Sequence, residues 1–173
     1  MDATEAGAMP PPMFTETLQI GIVVRSLEEA MRIHVHEYGI GPWSVIEMNP
    51  SNVDDMKKGG RPEQYAMRTA VTMVGSVQWE LIEPIGENTI YSEFLAEHGE
   101  GLHHVLVKVP SFDGAVAALE AKGRPLLMGG NYKGKIRYGY LATDTDLKYV
   151  TEIFEPPPGH NLDGGVTPDW VYP

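Results

Sequence analysis

The chain has 173 residues, 13 basic and 24 acidic, and its formal charge of -11 excludes nucleic acid as a partner, because phosphate backbones are held by clustered Lys and Arg. It has no cysteine, so neither a disulfide frame nor a thiolate metal site is available. No apolar run reaches the roughly 20 residues of a membrane helix, and 42% hydrophobic content suits one globular domain or two small modules sharing a core.

Residues 1–15, with Pro10-Pro11-Pro12, read as a disordered arm. They lack the basic and apolar regions of a secretory signal, which makes a cytoplasmic location the expectation. From Glu16 to Val24 the chain is β-rich and apolar, and Gln19 is the only polar side chain in its middle. Ser26-Leu27-Glu28-Glu29 is a capping box that opens a helix to about His36 or Tyr38, with Leu27, Ala30, Met31 and Val35 on one face. His34 and His36 are two apart and fall on different sides, so they make a poor metal pair.

Gly39-Ile40-Gly41-Pro42 ends that helix, and Trp43–Met48 reads as a strand. The polar stretch from Asn49 to Gln64 reads as a flexible loop able to cover a site. Tyr65–Val74 and Val77–Glu83 form two strands around a Gly75-Ser76 turn. The second puts Gln78, Glu80 and Ile82 on one face, so Glu80 is a carboxylate amid apolar neighbours.

Asn88 or Thr89 can cap a helix through His98, buried through Ile90, Phe94 and Leu95. The strand from Leu102 to Val109 opens on His103 and His104. Strand alternation sends these two to opposite faces, without deciding which faces inward. Ser111 starts a helix that ends before Gly123. Arg124–Met128, Ile136–Ala142 and Lys148–Phe154 read as strands, with Gly129–Lys135 as a turn-rich loop. Glu152 shares a face with Val150 and Phe154 in the last of them.

The order β, α, β, β, β therefore occurs twice, joined by a helix. The expected fold class is α+β, with two βαβββ modules, 16–86 and 87–155 (the second including the linking helix), packed to enclose a shared cleft. Residues 156–173 form a Pro-rich tail whose aromatics can pack on the domain or on a second subunit.

Gln19, Glu80, His104 and Glu152 each stand alone in an apolar strand, on the first and last strands of the two modules. Buried unpaired, each would cost several kcal/mol, and one divalent cation would offset all four. One imidazole, two carboxylates and an amide oxygen suit Zn, Ni, Co, Mn or Fe. Spacing alone does not separate this reading from four unrelated polar residues on solvent faces. Trp43, Tyr65, Trp79, Tyr138 and Tyr140 can line a pocket, and Arg68 can meet a substrate anion.

Glu97-His98-Gly99-Glu100-Gly101-Leu102-His103-His104-Val105 resembles the linker and strand of the vicinal oxygen chelate (VOC) superfamily, in its methylmalonyl-CoA epimerase and glyoxalase-like branches. Gln19–Val24 before Ser26–Ala30, Glu80–Pro84 and Val150–Phe154 extend the resemblance over about Leu18 to Glu155. It implies a metal between the modules, with Gln19, Glu80, His104 and Glu152 as ligands and His103 as an outward neighbour. This set is more like that of animal glyoxalase I than that of the epimerases, which usually carry histidine at the position of Gln19.

The chemistry so implied is proton transfer beside a carbonyl, by an isomerase, epimerase or lyase acting on a small molecule, with Glu152 as the base. Epimerases also use a glutamate on the third strand of the first module. Tyr65–Ala70 holds none, and the nearest, Glu63, falls in the loop. Trp43, Tyr65, Arg68 and Tyr140 are the expected substrate contacts, and a homodimer is the expected assembly. The alternatives are a metal-free sequestration protein of the same fold and an extradiol-type dioxygenase, which would want a second histidine where Gln19 stands.

Overall fold

A computed structural model describes residues 11–159 and 167–173. Most of the expected arm and part of the tail lie outside the described residues. In chain order the elements are β1 (Glu16–Val23), α1 (Leu27–Tyr38), β2 (Trp43–Met48), β3 (Val53–Lys58), β4 (Arg61–Pro62), β5 (Ala66–Val74) and β6 (Val77–Ile85). They continue with α2 (Ile90–His98), β7 (Gly101–Lys108), α3 (Phe112–Glu120), β8 (Leu126–Tyr132), β9 (Ile136–Leu141), α4 (Asp144–Leu147), β10 (Val150–Glu155) and β11 (Trp170–Tyr172).

All the strands join one sheet in the order β11-β2-β5-β6-β1-β7-β10-β9-β8-β3-β4. The two modules meet along the antiparallel pair β1 and β7, and each runs outward from that seam through its last, third and second strands. The duplicated βαβββ pattern is therefore present in space as well as in order. Helix α1 covers one module through Leu27 and Met31 against Trp43, Val45, Ala70 and Leu81. Helix α3 covers the other through Phe112, Ala115 and Leu119 against Val107, Leu141 and Ile153. Full burial of one such side chain stabilises by about 1.5–3 kcal/mol. A third cluster, including Met67, Ile82, Tyr91, Met128 and Tyr138, fills the space between modules and α2.

Local sequence explains the helix starts. Ser26 accepts a hydrogen bond from the Glu29 backbone N–H, while the Glu29 carboxylate binds Arg32 instead of closing the box. Thr89, not Asn88, caps α2, in a reciprocal box with Ser92. Ser111 caps α3.

Three expectations are corrected. The stretch 49–64 is not a free loop: β3 and β4 lie in it, and β3 pairs with β8 of the other module. Its register shifts between Asp54 and Lys57, where Asp55 takes a positive φ of 53°, so its alternation is broken and the sequence reads as loop. Strand β8 runs on to Tyr132, into the expected turn-rich loop. The end of the arm is ordered, with Met13 and Phe14 against the α3 core and Thr15 donating its N–H to Lys108 O. In the tail, β11 pairs with the edge strand β2, Trp170 opposite Val45 and Tyr172 opposite Trp43.

Candidate metal and substrate site

Three polar residues from β6, β7 and β10 converge beside the seam. His104 Nε2 lies 3.0 Å from Glu152 Oε2 and 3.4 Å from Glu80 Oε2. One ligand atom from each of Glu80, His104 and Glu152 fits within 4.8 Å of the others. His104 is fully buried and Glu152 nearly so. Gln19 lines the same cavity as Glu80 and Glu152, and its Nε2 donates to Gln78 Oε1 at 2.7 Å. That bond leaves the Gln19 Oε1 lone pairs as the atom to offer a cation.

Gly21 makes the convergence possible. It pairs with Glu80 on one side and His104 on the other, and a Cβ at this position would overlap the His104 ring. Only a residue without a side chain lets the imidazole reach across β1 toward both carboxylates.

The two histidines break strict alternation. Gly21 pairs with His104 and Ile22 with Leu102, so His103 is the extra residue of a β-bulge. Both rings are buried, and their Nδ1 atoms lie 3.1 Å apart. His103 is thus not an outward neighbour: it packs edge-on against Tyr91 and Phe94 of α2. Burial, then the charge of His104, pushes its pKa down to about 3, so it is neutral. A neutral His103 accepts the His104 Nδ1–H, which turns Nε2 toward the carboxylates.

Burial alone would lower the pKa of His104, but the negative charges of Glu152 and Glu80 outweigh it and raise the value to about 9. Burial raises the Glu80 carboxyl, partly opposed by His104. Despite their 3.0 Å separation, His104 Nε2 and Glu152 Oε2 are buried atoms without a hydrogen-bond partner. Such atoms are costly unless something else satisfies them. A histidine nitrogen and two carboxylates around one point, with the Gln19 amide on the same cavity wall, fit a divalent cation.

The cavity measures about 520 Å³. Apolar side chains, among them Ile46, Met48, Met67 and Phe154, form most of its wall, and Tyr132, Tyr138 and Tyr140 add aromatic surface. Tyr65 donates to Gly129 O at 2.8 Å, so the Tyr138 hydroxyl, also 2.8 Å away, donates to Tyr65. Burial pushes the Tyr65 hydroxyl up to about 12 and holds Tyr138 and Tyr140 well above the usual tyrosine range. All three stay protonated.

Of the expected substrate contacts, the structure brings only Tyr140 to the cavity wall, with its ring 5.1 Å from that of His104. Tyr65 is buried behind Tyr138 with its hydroxyl already engaged. Trp43 is buried under α1, since its neighbours Ser44 and Ile46 set the cavity face of β2. Arg68 stands between Met67 and Thr69, which face the cavity, so it points away and binds Glu28 and Glu83. Both residues are corrected to the opposite face of the sheet. Glu63 lies off the cavity and accepts from Asn88. Sequence reasoning missed Gln78 as a site residue, although it stands two positions before Glu80 on the same strand. It also missed Tyr91, whose apolar helix setting gave no signal.

Paired βαβββ modules joined at their first strands, with an imidazole and two carboxylates beside the seam, define the class of protein. Residues 18–140 match the model of the Glyoxalase/Bleomycin resistance protein/Dioxygenase superfamily, and the chain belongs to that family. A search of curated proteins finds no match. Among solved structures, methylmalonyl-CoA epimerase from Mycobacterium tuberculosis superimposes with a TM-score of 0.63 at 20% identity, over 88% of this chain and 95% of that one. A hypothetical protein from Bacillus halodurans C-125 gives 0.60 at 19% identity, over 84% and 97%. A Streptomyces coelicolor methylmalonyl-CoA epimerase variant in complex with 2-nitronate-propionyl-CoA gives 0.57 at 21% identity, over 86% and 99%. At these identities the likeness is one of fold.

Proposed function

We propose that the protein is a metal-dependent isomerase or epimerase that moves a proton on a carbon next to a carbonyl group. The single observation that carries this reading is the buried pair His104 Nε2 and Glu152 Oε2, 3.0 Å apart and without hydrogen bonds, beside a substrate-sized cavity that Glu80 and Glu152 line. Gln19, Glu80, His104 and Glu152 would hold the cation. When bound, a divalent cation there supplies Lewis-acid polarisation of a carbonyl oxygen, which acidifies the adjacent C–H.

The chain's own residues do the rest. Glu152, which lines the cavity, takes the proton at its carboxylate and returns it to the carbon, a role worth typically 10²–10⁴-fold in rate. The buried tyrosines stay neutral, so they orient the substrate as hydrogen-bond groups and do not act as bases. The apolar wall excludes water from the reacting carbon.

The test compares Glu152→Gln with Glu80→Gln. An amide oxygen can still ligate but cannot carry the proton, so Glu152→Gln is expected to keep bound metal and lose solvent deuterium exchange into the substrate. Exchange surviving in Glu152→Gln and lost in Glu80→Gln would move the base to Glu80. Exchange unaffected in both would overturn the reading.

A further inference from the structure

Among the described residues, the cavity wall contains no fixed cation. All 13 Lys and Arg residues of the chain fall within the described residues, and none lines the cavity. Among the basic residues that adjoin wall residues in sequence, Arg68 binds Glu28 and Glu83 on the other face, Arg137 pairs with Asp113 and Glu155, and exposed Lys133 lies over the Tyr132 ring. The ionisable carboxylates of the wall, Glu80 and Glu152, are both at the metal-site end. Everywhere else the wall is hydrocarbon, thioether, aromatic ring, hydroxyl or amide.

We infer that the group this cavity receives is an uncharged, mostly hydrocarbon carbonyl compound that presents its oxygens only at the Gln19, Glu80, His104 and Glu152 end. The inference rests on the proton-transfer reading for the choice of a carbonyl, and on the wall for the absence of charge. A single divalent cation balances Glu80 and Glu152, so no positive charge is left over for a carboxylate, phosphate or sulfate elsewhere on the ligand. A second anionic group would lose its hydration against Met48, Met67 and Ile46 and find no partner there. Methionines also repack around irregular apolar shapes, which favours a bulky or aromatic body over a short polar chain.

The test uses a matched pair, phenylacetylcarbinol and its ring-carboxylated analogue, titrated by calorimetry into the full chain with zinc present. The two present the same adjacent hydroxyl and carbonyl oxygens and differ by one distal charge. The expected result is at least tenfold tighter binding of the neutral compound. In Met73→Lys, which adds a cation at an exposed position of the wall, the ratio is expected to shrink or reverse.

Equal or tighter binding of the carboxylate by the unaltered protein, or no binding of either compound, would overturn the inference. Exchange of the carbinol C–H in deuterium oxide separates the two readings. Preference for the neutral compound without exchange sinks the proton-transfer proposal and leaves this one. Exchange confined to the carboxylate does the reverse.

Discussion

Two clusters, each with two carboxylates around one basic side chain, lie on opposite faces of the sheet, and they are built on different terms. At one, the Arg68 guanidinium binds Glu28 through both nitrogens and Glu83 through a third contact, while Glu83 also accepts the Leu27 N–H that opens α1. At the other, two carboxylates face one imidazole, and two of the buried atoms have no hydrogen bond. The first cluster fastens a helix to a sheet and is complete as it stands. The second pairs its charges but leaves His104 Nε2 and Glu152 Oε2 without a hydrogen bond, which a divalent cation would satisfy. Unmet bonding, not charge itself, separates a site from a fastening.

The harshest way to break the contrast is Gly21→Ala. Its Cβ would occupy the place of the His104 ring, so bound metal and turnover should both be lost, at a stability cost of about 1–3 kcal/mol for overpacking. Metal analysis beside circular dichroism checks this, since a folded, metal-loaded variant would refute the role of Gly21.

The metal-free protein should also carry a pH signature. His104 has its folded pKa raised to about 9 from an ordinary 6.5. Its charge therefore stabilises fully below about pH 6.5, and that contribution disappears as pH rises through about 9. The expected loss is about 3 kcal/mol. Denaturant unfolding of chelator-treated protein measures it. The slope should vanish in His104→Gln and on metal loading, because ligation requires neutral imidazole.

Replacing His103 should act one step removed. His103→Phe takes away the acceptor for His104 Nδ1–H, and metal affinity should fall by about 10–100-fold, with partial recovery in His103→Gln. Equal affinity in both would make His103 a packing residue only. The smallest effect belongs to Arg68→Gln: about 1 kcal/mol or less in thermal unfolding, as for a partly exposed ion pair, with metal affinity unchanged. A change in metal binding there would dissolve the distinction between the two clusters.

Much of this arrangement was legible in the chain. Solitary polar residues in apolar strands pointed to Gln19, Glu80, His104 and Glu152, and the structure places Gln19, Glu80 and Glu152 on one cavity wall with His104 against both carboxylates. Strand parity would also have excluded Trp43 and Arg68, because Ser44 and Met67 beside them take the cavity face. What parity could not give is the bulge at His103, which turns an expected outward ring into a buried support. The β3–β4 hairpin was hidden for a related reason, since its shifted register and the positive φ of Asp55 erase the period of two. Tyr91 lies on a helix among apolar neighbours, and only the packing of α2 on β7 brings it to the histidines.

The central claim is that the second cluster is completed by a metal. Calorimetric titration of zinc, nickel, cobalt and manganese into chelator-treated protein tests it most directly, with Glu80→Ala/Glu152→Ala as the paired control. One equivalent of at least one of these ions should bind the unaltered chain with proton release, and binding should be lost in the double variant. No binding by the unaltered chain, or the same binding in both, would contradict the account.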